Sequence, residues 1–119
     1  MIRPRTSITP ETRENLRGGR GRAEFLTYLG AGDMAGIDFM SVVTLEPGTT
    51  IGTHPHLDSE ELYYIVNGRG EGSLDDERFP VGAGDAWVCK AGHCHALACA
   101  PDAPLTFLAI ITPAAVSQG

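Results

Sequence analysis

At 119 residues, 42% hydrophobic and 20% charged, the chain has the size and balance of one globular domain with a single core. It contains nothing close to the roughly 20 consecutive apolar residues that a membrane-spanning helix needs, and no apolar stretch behind Met1-Ile2-Arg3-Pro4-Arg5 resembles a secretory signal. The net charge of −6 divides into +4 over residues 1–22 and −10 over residues 23–119, and so acidic a body argues against a phosphate-binding surface for nucleic acid. A cytoplasmic protein with neither a nucleic-acid nor a membrane partner is therefore expected. Its three cysteines, Cys89, Cys94 and Cys99, are read as reduced thiols.

In chain order, Thr9-Pro10-Glu11 supplies a capping hydroxyl, a first-turn proline and an acid, and predicts a short helix ending at Gly18-Gly19. That helix lies in a basic arm, residues 1–22. The segment Arg17-Gly18-Gly19-Arg20-Gly21-Arg22 is read as a flexible piece of this arm that crosses the acidic body or reaches a second subunit, in preference to an RNA-binding segment. Strands are predicted over 23–29 and 36–46, the second with Ile37, Phe39, Val43 and Leu45 on one parity and a turn at Glu46-Pro47-Gly48. A strand over 61–66 stops at the hairpin signal Asn67-Gly68. Further strands over 70–74 and 78–81 flank Asp75-Asp76-Glu77, and strands over 85–89 and 95–99 flank Lys90-Ala91-Gly92. Residues 105–111 form an apolar run expected of a strand buried on both faces, and residues 114–119 a flexible tail. Fifteen glycines, eight prolines and short strands every 8–12 residues predict an all-β sandwich or barrel over residues 23–113.

All four histidines fall in two His-x-His pairs, His54-Pro55-His56 and His93-Cys94-His95. Residues i and i+2 of a strand share a face, so such a pair can offer two nitrogens to one ion, and Glu61 can add a carboxylate. Of the neighbouring acids Glu60 and Glu61, the second is preferred by its spacing to Gly68. His93 is ambiguous: a fifth ligand, a substrate contact, a general base or a surface residue. Tyr63 shares the parity of Glu61, which leaves it either a cavity hydrogen-bond donor or a core residue, and Trp87 is read as packing.

Two segments resemble the motifs of the cupin family. The first is Gly48, five residues, His54-Pro55-His56, four residues, Glu61, six residues, Gly68, and every fixed position matches. The second keeps Gly84, Gly92 and His95 but has Lys90 in place of a proline and Cys99 in place of an asparagine. The resemblance implies a one-domain antiparallel jelly-roll β-barrel. It implies His54, His56, Glu61 and His95 as ligands of one divalent transition metal, with iron, manganese, nickel, copper or zinc all compatible. It further implies a dioxygenase, isomerase, lyase or decarboxylase acting on a small polar metabolite, with Tyr63 or His93 assisting. The alternative is a non-catalytic sugar- or acid-binding barrel. A homodimer is expected, because edge strands need cover and two-fold dimers are the commonest assembly. Cys99 shares the face of His95 but lies about 13 Å along the strand from it, too far to ligate the same ion.

Overall fold

The computed structural model describes residues 1–114; most of the tail expected over 114–119 lies outside the described residues. Among the described residues, ten strands form two antiparallel sheets. They are β1 (Glu11–Glu14), β2 (Arg22–Leu29), β3 (Phe39–Leu45), β4 (Thr50–His56), β5 (Ser59–Asn67), β6 (Arg69–Leu74), β7 (Glu77–Gly82), β8 (Ala86–Cys89), β9 (His93–Cys99) and β10 (Leu105–Pro113). One sheet has the order β1-β2-β3-β10-β5-β8 and the other β4-β9-β6-β7. The core lies between them, built from Phe25, Val43, Leu45, Ile51, Tyr63, Ile65, Leu97, Leu105 and Phe107. The expected all-β jelly roll is thus present, and the predicted strands are found with ends shifted by a few residues.

Two local expectations are overturned. Where Thr9-Pro10-Glu11 predicts a helix, residues 11–14 pair with β2 from Glu11↔Phe25 to Glu14↔Arg22. Only single 3₁₀ turns form, at Arg5–Ser7 and Leu16–Gly18. Backbone pairing along an available sheet edge outweighs a capping signal that has no apolar helix face behind it. The apolar run of β10 is also not buried on both sides. Leu105, Phe107 and Ala109 face the core, while Thr106, Leu108 and Ile110 are half-buried on the outer face.

One irregularity positions the site. Across β4 and β9, Ile51 pairs with Leu97 and His54 with His95, so β4 carries one more residue than its partner in this stretch. On a regular strand, positions three apart point to opposite faces. This bulge at Gly52-Thr53 turns Ile51 and both histidines of β4 inward together.

Candidate metal centre

His54 and His56 come from β4, Glu61 from β5 and His95 from β9, so both sheets contribute to the cluster. All four side chains are buried, and one ligand atom from each lies within 4.8 Å of the others. The Nε2 atom of His95 is 2.9 Å from His54 Nε2 and 3.1 Å from His56 Nε2. Glu61 Oε1 is 2.9 Å from His56 Nε2 and 3.1 Å from His95 Nε2. Glu61, the acid preferred by its spacing to Gly68, is the one that joins the cluster, and Glu60 stays out of it.

The donor set fits a metal ion. His54 Nδ1–H donates to the Gly52 carbonyl at 2.7 Å, which leaves Nε2 with its lone pair directed into the cluster. His56 Nδ1 is 3.0 Å from Ser59 Oγ, which orients the second ring. Burial pushes the His54 imidazole down to about 4, with the nearby charges of His95 and Arg17 acting in the same direction. Burial lowers His56 as well. Both rings are therefore held in the neutral, ligating form at neutral pH. A buried carboxyl group is costly without a partner for its charge, so these residues can hold a cation.

The cluster opens into a cavity of about 170 Å³ lined by Arg13, Leu16, Arg17, Phe25, Phe39 and Phe107, among others. Tyr63 also lines it, with its ring stacked on His95 at 4.6 Å. Burial holds the Tyr63 hydroxyl well above its ordinary pKa, and the Glu61 carboxylate adds to the effect, so the phenol keeps its proton. His93 is not brought into the cluster. It is exposed at the start of β9, with Nδ1 2.6 Å from Asp75 Oδ2. Trp87 packs edge-on against Tyr63 and Phe79. The three cysteines are free thiols, and burial pushes Cys89 up to about 11 and raises Cys99. Cys99 Sγ–H points to the carbonyls of Ala103 and Ala100 at 3.1 and 3.3 Å, a core role with no part in ligation.

Sequence reading missed the contribution of the arm to the cavity wall. The available signal was Gly19 and Gly21 between arginines, since glycine marks places where another segment comes close.

Fold and site together define a class: a small two-sheet β-barrel that can hold a metal ion through three imidazoles and one carboxylate. Residues 41–111 match the family model described as the cupin domain, and the chain belongs to that family. It is 32% identical over 112 residues to a Thermotoga maritima protein named oxalate-binding protein, with 93% of each chain covered. It is 38% identical over 82 residues to the Streptomyces cyaneus polyketide synthase CurC, which covers 69% of this chain and 52% of that relative. A Thermotoga maritima crystal structure described as a predicted oxalate decarboxylase superposes with a TM-score of 0.89 at 32% identity, covering 95% of this chain and 99% of that one. A Silicibacter pomeroyi sugar phosphate isomerase of the cupin superfamily gives a TM-score of 0.69 at 26% identity, covering 87% and 71%.

Proposed function

We propose that the protein is a metal-dependent small-molecule cupin whose ligand is a small organic acid and whose reaction is a decarboxylase, lyase, isomerase or dioxygenase step. The observation that carries this reading is the convergence of three Nε2 atoms and one carboxylate oxygen at the floor of a small cavity. Iron, manganese, nickel, copper and zinc are all compatible with that donor set. A divalent ion held there supplies Lewis acidity toward a carboxylate or carbonyl oxygen. The protein's own groups do the rest. Phe25, Phe39 and Phe107 keep water from the ligand, and Tyr63 offers a protonated hydroxyl inside the cavity. His93 faces Asp75 at the surface, so the assisting role falls to Tyr63. The relatives named for oxalate support an acid as the ligand class.

Elemental mass spectrometry of untagged protein tests the metal. About one transition metal per chain is expected, and no uptake of any of the five would overturn the reading. Incubation of loaded protein with oxalate then separates enzyme from binding module. Released carbon dioxide supports decarboxylation, whereas bound oxalate recovered unchanged supports the non-catalytic alternative.

The assembly reading is a homodimer through the outer face of the six-stranded sheet. Leu26, Val42, Leu108 and Tyr64 form one row across it, and Met40, Ile110, Leu62 and Val88 form the next. In a two-fold dimer the same patch would meet itself across the axis. Light scattering checks it: a dimer mass is expected, reduced to a monomer by Leu108→Asp.

A further inference from the structure

The arm forms part of the cavity wall, and it brings two arginines there, Arg13 and Arg17. Their situations differ. The Arg13 guanidinium is already engaged, paired with the Glu11 carboxylate at 2.9 and 3.2 Å and lying 4.4 Å over the Phe25 ring. Arg17 has no side-chain hydrogen bond or ion pair among the described residues, yet it lines the same cavity as His54, His56 and Glu61.

The backbone is built to hold Arg17 in that place. A methyl group at Gly52 would lie 2.1 Å from the Arg17 carbonyl oxygen, and one at Gly19 would lie 2.1 Å from the Thr50 carbonyl oxygen. Only glycine on both segments permits this approach. Thr50 N–H donates to the Arg20 carbonyl at 2.8 Å, Arg20 N–H to Thr50 Oγ1 at 3.0 Å, and Arg22 N–H to Thr49 Oγ1 at 3.0 Å. Asn15 and Arg17 both take left-handed backbone conformations, each with φ 54°. A non-glycine residue in that region carries strain, and such positions cluster at ligand sites.

Charge then indicates the kind of ligand. A divalent ion with Glu61 as its one carboxylate keeps one positive charge, and Arg17 adds a second. Leu16, Phe25, Phe39, Val43, Phe107 and Ile111 make the remaining wall largely apolar. A small cavity with two positive charges and apolar sides suits a short dianion better than a monoanion or a sugar. We propose that Arg17 is the specificity-determining residue of the site and selects a short dicarboxylate, binding the carboxylate that the metal does not. This deepens the organic-acid reading and rests on it.

The test is titration calorimetry of the manganese-loaded full chain with oxalate and with formate, on the parent, Arg17→Gly and Arg17→Lys. Arg17→Gly removes the guanidinium and suits the left-handed backbone, so its melting temperature should equal or exceed the parent's. Its manganese content should be unchanged. Its oxalate affinity should fall on the order of 10- to 100-fold, the loss of one charge-assisted contact, while formate affinity changes far less. Arg17→Lys should recover part of the oxalate affinity. Oxalate binding equal in parent and Arg17→Gly, or an equal loss for oxalate and formate, overturns the assignment of Arg17. A parent that takes up manganese but binds neither anion overturns the organic-acid reading itself, and one that takes up no manganese overturns the metal reading beneath both.

Discussion

The two His-x-His pairs have the same local pattern and opposite fates. In β4, both histidines are buried and both supply a nitrogen to the cluster. In β9, His95 is buried in the cluster, while His93, two residues earlier and of the same parity, is exposed and bound to Asp75. Parity says which way a side chain starts out, but strand position decides whether a cavity lies there. His56 is followed closely by β5, whose Glu61 closes the cluster over it. His93 opens its strand beside the β6–β7 turn, where Asp75 takes both its Nδ1 and the Cys94 N–H.

The largest effect that can break this comparison is loss of a ligand. His56→Ala should weaken metal affinity by more than the roughly 10- to 100-fold typical of disturbing a ligand's outer partner, whereas His93→Ala should leave metal content at the parental level. Elemental analysis of the two variants side by side decides it; if His93→Ala also strips the metal, the distinction drawn between the pairs is wrong. Next in size is Gly52→Ala. Its methyl group meets arm backbone, which cannot swing aside as a side chain could, so a loss of about 1–3 kcal/mol is expected in chemical unfolding. Gly30→Ala, at a position with open space, is the control and should change far less.

A smaller effect concerns pH. The folded value of His54, about 4, lies below its ordinary 6.5. Between these values the unfolded chain takes up a proton that the folded chain refuses. The metal-free protein should therefore be most stable above pH 6.5 and lose stability as pH falls from 6.5 toward 4, and thermal melts across that range check the sign. A flat profile would mean that His54 is not buried as described. The smallest effect is expected from Asp75→Ala, which frees an exposed histidine. Its melting temperature should shift less than that of Gly52→Ala, and its metal content should not change.

Much of the site could be read from the sequence because strand alternation and fixed spacing act over short distances. Parity paired His54 with His56 and a count to Gly68 chose Glu61, while the resemblance to the cupin motifs brought in His95. What escaped depends on contacts between distant segments. Counted back from His54, regular alternation puts Ile51 on the wrong face, and the bulge that corrects it shows only in the pairing of β4 with β9. The Thr9-Pro10-Glu11 signal was local and lost to pairing with residues 22–25. Arg17 reaches the cavity through a seam with Gly52, 35 positions away, which composition does not reveal. The outer face of β10 looked like core because Leu108 and Ile110 are apolar, yet the fold leaves them half-buried.

The place of β10 sets the order in which the molecule can be assembled. It is the last described strand, yet it lies in the middle of its sheet, between β3 and β5. Until it arrives, β3 and β5 have no common neighbour, and the strand carrying Glu61 has only the short β8 to pair with in that sheet. During synthesis the emerging chain would hold histidines and a glutamate that cannot yet meet in a closed barrel. A metal site that uses all four of these residues would therefore be complete only once β10 has closed the barrel.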